Sequence, residues 1–171
     1  MKILMLGDSI TNAGNWDTLA GSGNVDNYGM SGWTTSQLAQ LVRDIVPRNE
    51  YSVCFYMAGI NDFSWGRSAE SILANNKDIL NYLHSHDVIP VYQTLLYMLG
   101  NKEINSEIDW VNQKMQDFCL ERNFKFLDLR PLLCRNGDLR DEYTDDGVHL
   151  TENAYIPWAR VVQSLLNTIH A

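Results

Sequence analysis

The chain has 171 residues, a length that suits one domain, since single domains usually run to about 100–200 residues. Hydrophobic residues make up 45%, enough for a packed core, which excludes a disordered chain. The formal net charge of −8 repels phosphate backbones and anionic lipid, so neither nucleic acid nor a membrane surface is an expected partner.

In chain order, the first predicted element is Ile3 to Leu6, a short continuous apolar run ending at Gly7. Such a run suits a strand covered on both faces. It is too short for the roughly 7–15 apolar residues of a signal peptide, and no run approaches the roughly 18 of a membrane span. A cytoplasmic location is therefore expected. Asn24 to Tyr28 reads as a second, shorter strand. Leu38, Leu41, Val42 and Ile45 follow at helical spacing, with capping hydroxyls at Thr34 to Ser36.

Val53 to Ala58 is the third strand and ends at Gly59. Ile72, Leu73, Ile79, Leu80 and Leu83 form a second helical stripe. Val88 to Tyr92 is the fourth strand, where Pro90 predicts an edge strand or an early strand position, because proline cannot donate to the ladder. Ile104, Ile108, Val111, Met115 and Phe118 make a third stripe, and Phe124 to Leu129 a fifth strand. Asn136 to Asp146 is polar and reads as a surface loop. The last stripe runs from Tyr155 to Ile169, with Pro157 expected at the first helical position.

Strands alternating with helices indicate an α/β fold with a mainly parallel sheet and helices on both faces. Cys54, Cys119 and Cys134 are an odd number at no zinc spacing, and read as buried reduced thiols. No repeat or linker interrupts the chain, so one domain over residues 1–171 is expected.

In an open parallel sheet, ligands bind at the carboxyl ends of the strands. The segments that follow the strands there carry the chemistry. Ser9 opens a turn after the first strand; its hydroxyl is either a helix cap or a nucleophile awaiting a base. His149 differs from His84, His86 and His170, which read as solvent-exposed, because Asp146 stands three residues before it. A carboxylate at that spacing can bond the imidazole Nδ1–H and leave Nε2 to accept a serine proton. Asp145 is one residue further away and reads as a solvated loop residue. Gly32, the Ser9 N–H and the Asn61 side-chain amide are candidate oxyanion donors, although Gly32 and Asn61 read equally as turn residues.

Together these residues resemble the GDSL/SGNH hydrolase family. Gly7-Asp8-Ser9-Ile10 is similar to its nucleophile motif, and Gly32 in Asn27-Tyr28-Gly29-Met30-Ser31-Gly32 to its oxyanion glycine. Gly59-Ile60-Asn61-Asp62 is similar to its Gly-x-Asn-Asp segment, and Asp146 to His149 to its Asp-x-x-His. The resemblance implies a flavodoxin-like three-layer α/β/α sandwich with five parallel strands in order 2-1-3-4-5. It also implies ester or thioester hydrolysis without a metal. The expected reaction is hydrolysis of a small-molecule carboxylic ester through an acyl-enzyme on Ser9, with His149 as base and no cofactor. Trp33 departs from the family's usual small or acidic residue after the oxyanion glycine, and is expected to narrow the pocket or stack on a substrate ring. The short chain leaves little room for a lid, so a short acyl group such as acetyl is expected. Trp33, Phe63, Trp65, Tyr97 and Met98 are candidate pocket residues, with ordinary packing as the alternative. Two other functions share these features: acyl transfer to an alcohol on the same residues, and a non-catalytic module holding an anion in the turn from Gly7 to Thr11.

Overall fold

The computed structural model describes residues 1–16 and 24–169. His170 lies outside the described residues. Five parallel strands form the central sheet in the order β2-β1-β3-β4-β5: β1 Ile3–Gly7, β2 Val25–Gly29, β3 Val53–Met57, β4 Ile89–Gln93 and β5 Lys125–Leu127. Every residue of β1 and β3 is buried, which only a sheet covered on both faces allows. Their side chains are apolar throughout rather than alternating for the same reason.

Helices supply the cover. The helix α1 (Ser9–Asn12) follows β1, and α2 (Thr35–Ile45) follows β2. The short α3 (Ile60–Ser64) and the long α4 (Ala69–Ser85) link β3 to β4, and α5 (Lys102–Arg122) links β4 to β5. After β5 come α6 (Arg130–Leu133), a two-stranded ribbon of β6 (Cys134–Arg135) and β7 (Asp138–Leu139), and finally α7 (Glu152–Ile169). Helix α4 packs between α2 and α5. Helix α7 buries Trp158 against Trp16, with ring centroids 4.8 Å apart, and ties Trp158 Nε1 to Gln93 Oε1 of β4 at 2.7 Å.

Three expectations are refined. Pro90 is the second residue of β4, an early position, but β4 is an interior strand rather than an edge. Pro157 does not start the last helix: α7 begins at Glu152 and takes the proline inside. Its first turn is held independently of the missing N–H, because Tyr155 is buried, stacks on Trp158 and donates its hydroxyl to Ile10 O at 2.7 Å. The segment 136–146 is more than a loop. Asn136 and Gly137 both have positive φ, +55° and +79°, and close the β6–β7 hairpin. Asn-Gly is the strongest short hairpin signal, so this element was readable. The three cysteines are free and buried, as expected.

The placement of α1 depends on how closely it approaches β2. A Cβ on Gly29 would stand 2.1 Å from Asn12 N and 2.3 Å from Asn12 Cα, backbone atoms that cannot swing aside. Asn12 Nδ2 donates to Gly29 O at 2.6 Å, and Asn27 Nδ2 reaches the carbonyls of Asn12 and Gly14 at 3.1 and 3.3 Å. The last turn of α1 is thus tied down by residues of β2. Gly29→Ala is expected to lower stability by about 1–3 kcal/mol through overpacking, read as a fall in Tm; an unchanged Tm would show that α1 can shift freely.

Candidate active site

Four chain segments meet at the carboxyl ends of β1, β2 and β3. The first is the turn from β1 into α1. Asp8 is the N-cap of α1, and its Oδ1 accepts the Ile10 N–H at 3.0 Å. Ser9 is the next residue, so it sits at the carboxyl end of β1. From the far end of the chain comes the loop before α7. Ser9 Oγ donates to His149 Nε2 at 3.0 Å across 140 residues of sequence. His149 Nδ1–H donates to Asp146 Oδ2 at 2.6 Å.

The loop that carries this pair is built to present them. Asp146 Oδ1 accepts the backbone N–H groups of Val148 and His149 at 2.9 and 2.8 Å, so its other oxygen is left for the imidazole. Buried Thr144 accepts Gly147 N–H at 2.9 Å and closes the turn beneath them. Leu99 N–H donates to Gly147 O at 2.8 Å, which fixes the loop to the segment after β4. The imidazole and the two backbone donors hold the Asp146 carboxyl well below the usual carboxylate range, so it is ionised at any working pH. The side chain of Asp145 is exposed and takes no part in this network.

The segment after β2 is bound to the end of β1 by Met30 N–H to Gly7 O at 2.8 Å. Gly32 has φ +79° with nothing within 4 Å of where a Cβ would be, so the glycine answers the backbone conformation rather than crowding. From β3, Asn61 Nδ2 donates to Trp33 O at 2.9 Å. An amide NH2 has two hydrogens, so one remains for another acceptor. Asp62 is fully buried and points back to Thr35. Thr144 was not singled out from the sequence, and Asp62 and Thr35 appeared there only within the Gly-x-Asn-Asp segment and the capping hydroxyls; a buried role for a short polar side chain leaves no periodic signal.

A serine hydroxyl bonded to an imidazole whose far nitrogen is held by a carboxylate can lose its proton as it attacks. Backbone and amide N–H groups nearby can take the negative charge that forms.

The candidate pocket residues differ in exposure. Trp33, Phe63, Tyr97 and Met98 are half-buried against the core, and Trp65 stands 73% exposed at the end of α3. The Tyr97 hydroxyl donates to Asp109, which also accepts from Arg130 at 3.0 Å; burial and that carboxylate push the phenol up to about 12. Among the described residues no cluster of three or more His, Cys, Asp or Glu is placed to hold a metal, and no helix is long and apolar enough to cross a membrane. His84 and His86 are exposed, and each lies against a ring, Phe124 and Tyr82.

Residues 5–155 match the model of the GDSL-like lipase/acylhydrolase family. The chain belongs to this family. Its fold is shared by a GDSL-like lipase of Bacteroides thetaiotaomicron VPI-5482, with a TM-score of 0.88, 17% identity, and coverage of 98% of this chain and 88% of that one. It is shared also by an acetyl xylan esterase, with a TM-score of 0.82, 20% identity and coverage of 96% and 99%. In sequence, the acylhydrolase chain is 27% identical over 132 residues to the N-acylneuraminate cytidylyltransferase of Streptococcus agalactiae serotype III (strain NEM316). The match covers 77% of this chain but only 32% of that relative, so the chain spans about a third of its length.

A buried carboxylate lies directly beneath the serine. Burial pushes Asp8 up to about 6, against the opposing pull of the Ile10 N–H and the His149 ring. Between the unfolded value of 3.8 and about 6 the folded protein therefore holds a proton that the unfolded chain has released, and stability falls as pH rises through that window. The difference corresponds to roughly 3 kcal/mol at most. Asp8→Asn keeps the acceptor for Ile10 N–H and removes the charge. It is expected to be the more stable protein at pH 8, by up to about 3 kcal/mol, and to lose that advantage by about pH 4. Urea denaturation at the two pH values checks this, and an advantage independent of pH would refute the assignment.

Proposed function

We propose that the chain hydrolyses carboxylic esters of short acyl groups through an acyl-enzyme formed on Ser9. The observation that carries this reading is the unbroken hydrogen-bond chain from Ser9 through His149 to Asp146, with distances of 3.0 and 2.6 Å. Ser9 Oγ attacks the ester carbonyl as its proton passes to His149 Nε2. The oxyanion takes the N–H groups of Ser9 and Gly32 and the free hydrogen of the Asn61 amide. Collapse of the intermediate expels the alcohol, which receives the proton from His149. Water then attacks the acyl-enzyme with His149 again as base, and the acid leaves as Ser9 recovers its proton.

The alcohol would find room in a cavity of about 640 Å³ lined by Ala13, Asn15, Leu150, Glu152, Asn153, Tyr155 and Ile156, residues that begin four positions after Ser9 and one after His149 in the chain. Its mixed polar and apolar lining suits a hydroxylated ring with an apolar face. A carbohydrate alcohol is also supported by the names of two similar proteins, one an acetyl xylan esterase and one acting on N-acylneuraminate. The acetyl preference rests on the half-buried Trp33, the residue next to Gly32, as the side chain that would limit acyl length.

Ser9→Ala is expected to abolish hydrolysis of p-nitrophenyl acetate and labelling by a fluorophosphonate, while the Tm stays nearly unchanged. Turnover by the pure variant at more than a few per cent would overturn the nucleophile, and a rate climbing from acetate to palmitate would overturn the short-acyl reading.

The two neighbouring aspartates give a separate test. Asp146→Asn leaves serine and histidine in place but removes the carboxylate that sets the tautomer, a loss of up to about 10⁴ in kcat. Asp145→Asn is expected to stay within a few-fold of the parent protein. The reverse order, measured as kcat on the same ester, would move the orienting role to Asp145.

A further inference from the structure

We propose that Asp62 is a positioning residue that locks the segment carrying Gly32 to the segment carrying Asn61, and so sets the geometry of the oxyanion site. The proposal rests on the esterase reading above. Its basis is a pair of contacts running in opposite directions between two loops. Asn61 Nδ2 donates forward to Trp33 O at 2.9 Å. Thr35 donates back with both of its groups, N–H to Asp62 Oδ2 at 2.8 Å and Oγ–H to Asp62 Oδ1 at 2.7 Å. Residues 33–35 are therefore laced to residues 61–62 by three bonds, one residue after Gly32 and at Asn61 itself.

The polarity of this lacing is fixed. Asn75 Nδ2 donates to Thr35 Oγ1 at 2.9 Å, so the threonine hydroxyl must give its own hydrogen to Asp62. Thr35 is fully buried and Asp62 is 1% exposed, so water offers neither of them a substitute partner. Thr34 and Gln37 form a capping box at the first turn of helix α2, which leaves the N–H of Thr35, the first helical residue, to Asp62.

Stability alone gives a poor account of the carboxylate. No ion pair reaches it within 4 Å among the described residues, and burial raises its pKa. The charge of Arg67, beyond ion-pair reach, offsets the cost of desolvating it only in part. What an ionised carboxylate does here that an amide cannot is accept two hydrogens from one residue. In Asp62→Asn the amide NH2 would face a second donor, so one of the two Thr35 bonds is lost and the 33–35 segment is released. Donors acting on the oxyanion must be placed to within a fraction of an ångström. Their loss falls on kcat rather than KM, because they act on the transition state.

The test is a double-mutant cycle on p-nitrophenyl acetate hydrolysis. Asp62→Asn is expected to lower kcat by about 10–100-fold, short of the roughly 10²–10³ for deleting a donor outright, with KM within about twofold. In the Asn61→Ala background the same substitution is expected to cost at least about fivefold less, because part of what it positions is already gone. Thr35→Val is expected to reproduce the kcat loss and Thr35→Ser to restore it. If Asp62→Asn fails to fold, the Thr35 pair carries the test by itself. A kcat within twofold of the parent in Asp62→Asn and Thr35→Val, or equal losses in both backgrounds, would overturn the proposal. Ser9 labelling separates the two readings. Full labelling with silent Asp62 and Thr35 variants sinks only the positioning role, whereas activity that survives Ser9→Ala sinks both.

Discussion

A parallel sheet buried on both faces has no surface left for chemistry except its two ends. In this protein that constraint organises everything that follows. The interior strands β1 and β3 are wholly apolar and wholly buried, so polar side chains collect at the points where the chain leaves the sheet. Because all strands run the same way, the exits of β1, β2 and β3 are side by side. Ser9, Gly32 and Asn61 are neighbours in space for that reason. Only His149 and Asp146 must be brought in from elsewhere, and the loop before α7 delivers them.

The carboxylates of the site meet different fates, and their environments say why. Asp146 is exposed, accepts three N–H groups and is held ionised. Asp8 and Asp62 are buried, and desolvation raises both. The exposed one can follow the charge of the imidazole as it changes during a reaction. The buried ones serve as fixed acceptors for backbone and hydroxyl hydrogens. Chemically identical groups within a few residues of the serine, histidine and asparagine thus do unlike work because burial differs.

Much of this was legible in the sequence, for reasons that can be stated. Continuous apolar runs ending in glycine marked the buried strands, and their order placed Ser9 and Asn61 at strand exits. Asp146 and His149 were readable because a three-residue spacing is a local geometric fact. Pro157 misled because its neighbours override it: the hydroxyl bond of Tyr155 to Ile10 O and its stacking on Trp158 hold a helical turn ahead of the proline. The lacing of Asp62 to Thr35 was invisible because it joins residues 27 apart through side chains of no particular pattern. The same holds for the cavity whose lining joins residues 13–15 to residues 150–156, because no local pattern links the two segments.

The contact of α7 with the turn after β1 also makes the site depend on two segments far apart in the chain. Tyr155 holds Ile10, Trp158 packs on Trp16, and His149 reaches Ser9 across 140 residues. A fragment that keeps the five strands but stops before His149 therefore retains Ser9 without its hydrogen-bond partner, and a single cut in the loop before α7 would uncouple the two without touching the sheet.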